Sequence, residues 1–128
     1  MGNLGEGSRS YHMELRSWKL GRKFVGRVYE LTETFPTEEK FGLTAQLRRA
    51  SVSVASNIAE GAGRKTLSDY LRFLYMARGS VKEIETQLIL ANDVGLITKT
   101  EWQTTNTALQ GLGKALQKHI NSLERKPR

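Results

Sequence analysis

The sequence predicts an all-α fold, an antiparallel up-down four-helix bundle. Three observations carry this. Four long segments repeat apolar residues at steps of three and four, no segment alternates as a strand would, and turn and capping signals separate the four. At 128 residues the chain is one domain that can bury a core without staples.

Helix one is predicted from about Met13 to Thr34. At 100° per residue Leu20, Phe24, Val28, Leu31 and Phe35 share an arc, with Trp18 and Val25 at its edge. Phe35-Pro36-Thr37 stops it, because the residue before proline avoids the helical region. Helix two, from about Thr44 to Ala62, carries Leu43, Leu47, Ala50, Val54 and Ile58 on one stripe and ends at Gly61 and Gly63. Its other flanks hold Ala45, Ser51, Val52, Ala55, Ser56, Ala59 and Ala62. Such small residues place it at the bundle's centre or against another subunit.

Helix three opens at Thr66-Leu-Ser-Asp69, a predicted capping box in which hydroxyl and carboxylate each satisfy a free backbone N–H. Its apolar positions are Leu67, Leu74, Ala77, Val81, Ile84, Leu88 and Ala91. Gly95 supplies the left-handed stop, with Leu96 as its apolar partner. Thr98 to Glu101 is a second capping box. It starts helix four through Trp102, Leu109, Leu112, Leu116, Ile120 and Leu123. The organisation is therefore a flexible polar tail over residues 1–12, the bundle over 13–124, and a basic tail over 125–128.

Charge gives the first functional hint. Twenty Lys and Arg stand against 13 Asp and Glu, a net charge of +7 that favours anionic partners. Arg16, Lys19, Lys23 and Arg27 form a stripe opposite the apolar arc of helix one, about 16 Å long. Lys114, Lys118 and Arg125 form another on helix four. Two readings stay open: a solvated face, or a surface that tracks phosphates. No aromatic residue interleaves with these cations, so base stacking there is not indicated.

Enzymatic readings find little support. The chain has no cysteine, which excludes disulfides, thiolate zinc sites and a cysteine nucleophile. Neither His12 nor His119 has an acid three residues before it, as ferritin-like metal bundles need, and neither fits the Arg–His spacing of HEPN-type ribonucleases. Gly61-Ala-Gly63-Arg-Lys-Thr66 follows a helix and lacks the spacing of a phosphate-binding loop. No catalytic residue, metal or cofactor is expected. No apolar run approaches a membrane span, and the N-terminus lacks the apolar core of a signal peptide, so the cytoplasm is expected. Arg78, Glu85 and Asn92 recur at steps of seven within an otherwise apolar arc. They are expected to form a structural polar network with Asn57 or Glu60 inside the chain, or a polar seam between subunits.

Three runs bear a family resemblance: F-P-T-E-E-K-F-G-L-T-A-Q-L-R-R-A, then S-N-I-A-E-G-A-G-R, then Y-L-R-F-L-Y-M-A-R-G-S-V-K-E-I-E-T-Q-L. Together they resemble the four-helix-bundle proteins first noted as reading frames in intervening sequences of 23S ribosomal RNA genes. The resemblance implies a cytosolic bacterial bundle that forms a ring-like homopentamer. It also implies an architecture similar to the accessory proteins of diversity-generating retroelements, basic barrels that bind nucleic acid and a reverse transcriptase. No catalytic residue is defined for the family, so none carries over. The expected function is non-catalytic binding of RNA or DNA with little sequence preference. The alternative is an adaptor for a protein partner such as a reverse transcriptase or a ribosome-associated factor.

Overall fold

The computed structural model describes residues 11–126. Four α-helices follow one another: α1 (Arg16–Thr32), α2 (Leu43–Ala62), α3 (Leu67–Asp93) and α4 (Lys99–Glu124). Short 3-10 turns, Tyr11–Glu14 and Thr37–Glu39, precede α1 and α2. Each helix packs on two neighbours: α1 and α3 both lie against α2 and α4. The side-chain pairs joining α3 to α4 run Tyr75–Glu124, Arg78–Gln117, Glu85–Gln110, so sequence numbers rise on one helix as they fall on the other. The bundle is antiparallel and up-down, as the sequence predicts.

The expected stripes form the core. Phe24, Val28, Leu47, Val54, Ile58, Leu74, Ile84, Leu88, Leu109, Leu112, Leu116 and Ile120 are all buried in one cluster. Leu20, Leu31, Leu43, Leu67 and Trp102 sit half-buried at its margins. Thr98 and Glu101 close the reciprocal capping box at the start of α4. Gly95 holds a φ of +79°, which favours glycine, and the Leu96 N–H reaches back to the Ala91 carbonyl.

Three local expectations change. Thr66 caps α3 by accepting from the Asp69 N–H, but the Asp69 carboxylate does not return the bond; it pairs with Arg72 at 2.9 Å and Arg64 at 3.6 Å. Arginines within reach outcompete a backbone donor because both partners are charged. Gly61 does not end α2 but lies buried in its last turn, and Gly63 is the cap. α2 is also not central within the chain. Val52 and Ser56 are exposed and Ala55 half-buried, so one small-residue flank faces outward.

The expected tail over residues 1–12 falls mainly on residues 1–10, outside the described residues, as do Pro127 and Arg128. Tyr11 and His12 open the first 3-10 turn, and the His12 ring meets Trp18 edge-on at 4.9 Å. Among the described residues no helix is long and apolar enough to cross a membrane.

Candidate nucleic-acid interface

The antiparallel packing of α1 on α4 brings the two basic stripes together. Arg16, Lys114 and Lys118 line one end of a cleft between these helices, a volume of about 610 Å³. It runs on through Arg16 and Gly111 into a narrower stretch of about 260 Å³ lined by Lys23 and Arg27. Gly111 has no Cβ and open space above it, so α4 leaves a notch where the two stretches join. Among the described residues no Asp or Glu lines either stretch. Beyond Arg27 the surface changes: Glu30 and Glu101 enter the lining of a third hollow of about 300 Å³.

The five cleft cations are exposed and, among the described residues, form no ion pair. Several other cations are engaged. Arg48 stacks on Tyr29 at 4.3 Å and bonds Thr32, while Arg64 and Arg72 stack on Phe73 at 4.4 and 4.5 Å. Unpaired cations keep their full charge for an incoming anion, whereas paired ones must first lose a partner. Two members of the expected stripes lie outside the cleft. Lys19 points towards Glu14 at 3.8 Å, and Arg125 caps the far end of α4.

The cleft also contains residues that sequence reasoning did not assign. Ser17 is buried on its floor and lies 2.8 Å from His119 Nδ1; the Tyr70 hydroxyl lies 2.8 Å from His119 Nε2. Ser122, at the rim, donates to the His119 carbonyl. One imidazole thus joins α1, α3 and α4. A neutral ring has one donor and one acceptor nitrogen, and hydroxyls on both sides satisfy either tautomer. Burial pushes His119 below its ordinary value, and burial with Tyr11 nearby pushes the Tyr70 phenol well up. α1 itself begins without a side-chain cap at Leu15 and without an acid in its first turn, so its N-terminal dipole is not offset there. A signal for Ser17 does exist in the sequence. Ser17, Gly21, Phe24 and Val28 recur at steps of four, three and four, and all are buried.

The His119 shift carries a pH dependence. The unfolded chain takes up a proton near the ordinary value of 6.5, the folded chain only at lower pH. The neutral ring's contribution to stability is therefore fully present above about pH 6.5 and is lost as pH falls through the lowered folded value. Tyr70 stays protonated throughout that range. Thermal melts should shift down between about pH 7.5 and 5.5, and His119→Gln should flatten that part of the profile. An identical slope in the variant would assign the pH dependence to other groups.

A family model described as 23S rRNA-intervening sequence protein matches residues 13–118, spanning α1 to most of α4. The chain belongs to that family. A crystal structure of a protein with unknown function from the S23 ribosomal protein family of Bacteroides thetaiotaomicron has the same fold. Its TM-score is 0.73 at 21% identity, covering 81% of this chain and 97% of that one. No curated protein matches.

In this member of the 23S rRNA-intervening sequence family, the S-N-I-A-E-G-A-G-R stretch is a packing device. Gly61 lets α2 close onto the first turn of α3 beside Tyr70 and Phe73. Asn57 turns back to the Ser53 carbonyl and hydroxyl, and Ser53 meets Ser80 across the α2–α3 seam at 3.0 Å. Glu60 pairs with Arg64 one turn on. The expected internal network does not form within the chain. Arg78 bonds Gln117, Glu85 accepts from Gln110 and Lys82, and Asn92 donates to the Ile97 carbonyl, each by itself. The reason is position. Arg78 lies on the outer side of the α3–α4 seam, where solvent and single amide partners satisfy it more cheaply than a buried network.

Proposed function

We propose that this chain is a non-catalytic, oligomeric module that binds RNA or DNA through the α1–α4 face, in the cytoplasm. The observation that carries the reading is the convergence of five cations, Arg16, Lys23, Arg27, Lys114 and Lys118, on one cleft where, among the described residues, they have no ion-pair partner and no acid shares the lining. Phosphate contacts of this type supply affinity without reading sequence. The cleft walls are Leu15, Leu20, Ala108, Ala115 and glycine, and the Phe24 ring in the lining is buried, so they offer no exposed stacking platform. His119 has both ring nitrogens occupied, and no group of three or more His, Asp and Glu among the described residues could hold a metal ion.

A homo-oligomer, with the pentameric ring implied by the resemblance, would multiply a modest site through effective concentration. The open flank of α2 supports such assembly. With Trp18, Val25 and Tyr29 of α1 it lines a largely apolar groove of about 740 Å³. The same groove supports the second reading, an adaptor whose groove takes a protein partner such as a reverse transcriptase or a ribosome-associated factor.

A salt titration of binding to mixed RNA and DNA oligonucleotides tests the proposal. If all five cations engage one strand, the logarithm of affinity should fall against that of salt with a slope of roughly −3.5 for single strands and −4.5 for duplex. Binding that ignores salt, or none at low salt, would remove the reading and leave the adaptor in front.

A further inference from the structure

The charge along the α1–α4 cleft is not uniform. At its wide end three cations, Arg16, Lys114 and Lys118, surround the cleft with no acid in the lining among the described residues. At the opposite end Arg27 stands with Glu30 and Glu101 around one hollow. The positive potential therefore rises from the Arg27 end towards the Lys118 end. A nucleic-acid strand carries one charge on each internal phosphate. A terminal phosphomonoester carries about −1.5 to −2 at neutral pH and offers three acceptor oxygens. The most highly charged group of a strand matches the most positive end of the cleft.

We propose that the wide end of the cleft is a pocket for the phosphomonoester at the end of a nucleic-acid strand. This rests on the reading of the basic face given above and names the part of the ligand that the face grips. The volume of about 610 Å³ accommodates the terminal nucleotide as well as its phosphate. The floor suits an anion, since Ser17 and the neutral His119 bring polarity there without negative charge. The remaining wall residues, Leu15, Ala115 and Gly111, are apolar and leave room for the terminal nucleotide beside the cations.

The test compares three forms of one short oligonucleotide: 5′-phosphorylated, 3′-phosphorylated, and hydroxyl at both ends. A fourth, one nucleotide longer with hydroxyl ends, controls for the added charge. Fluorescence anisotropy on the full chain at low salt reads the affinities. One phosphorylated form should bind roughly three- to tenfold tighter than both hydroxyl forms. Lys118→Gln should abolish that preference, whereas Arg27→Gln should weaken all four ligands and keep it. Circular dichroism checks that both variants fold. Equal binding of all four ligands, or a preference that survives Lys118→Gln, overturns the terminal pocket and leaves the basic face standing. No binding by any ligand overturns both.

Discussion

Gly61→Val should destabilise the bundle by about 1–3 kcal/mol, lowering its melting temperature by several degrees per kcal/mol. A Cβ built on Gly61 would lie 3.0 Å from the Tyr70 carbonyl oxygen and 3.1 Å from the Phe73 Cβ. Both are fixed parts of the first turns of α3, so neither can rotate away as a long side chain could. Alanine would partly offset this clash through its better helix propensity, worth about 1 kcal/mol over glycine. Valine adds two γ carbons, is stiff at χ1, and recovers less. Gly63→Ala is the control, because its Cβ would meet nothing closer than the Glu60 carbonyl at 3.6 Å. Its effect should stay within about 0.5 kcal/mol. Urea denaturation of the three proteins decides the matter. A valine variant as stable as the parent would mean that α2 and α3 are not held together at this point.

The contrast between these glycines shows what the sequence could and could not reveal. Periodicity located the helices, since Leu47, Val54 and Ile58, or Leu109, Leu112 and Leu116, each need one buried side. The capping box at Thr98 and the left-handed Gly95 were equally legible, because their geometry is local. Gly61 read as a stop because its real constraint lies on another helix. The same applies to Ser17, His119 and Tyr70, which are 102 and 49 residues apart in their two pairings. The step-of-seven pattern of Arg78, Glu85 and Asn92 makes no network within the chain for a related reason. Periodicity gives a direction around α3, but whether that direction faces core or solvent depends on where α4 lies. The stripes on α1 and α4 were visible separately. That they meet, and that Lys19 and Arg125 do not join them, follows only from the antiparallel packing.

Reversing Lys23 and Lys118 together to Glu should reduce nucleic-acid affinity at low salt by roughly ten- to a hundredfold, for all sequences alike. Each lysine contributes about 0.7 to the salt slope for single strands and about 0.9 for duplex, so the slope should flatten by roughly 1.4 to 1.8. Lys23 lines the narrow stretch of the cleft and Lys118 the wide one, so the pair probes both with two changes. Both side chains are exposed, and among the described residues neither has an ion-pair partner to strand, so stability should change by no more than about 0.5 kcal/mol. Lys19→Glu is the matched control. It adds the same reversed charge to α1 but sits beside Glu14 at 3.8 Å, outside both stretches. Lys19 lies one helical turn from Lys23, inside the screening length of about 10 Å at 0.1 M, so its reversal should weaken binding, but less per reversed charge than the double variant does. If Lys19→Glu weakens binding as much per reversed charge as the double variant, that is by about half its logarithmic effect, net charge alone governs binding and the cleft has no special part in it. If the double variant binds as the parent does, the five cations only keep the bundle in solution, and the groove between α1 and α2 becomes the surface to examine.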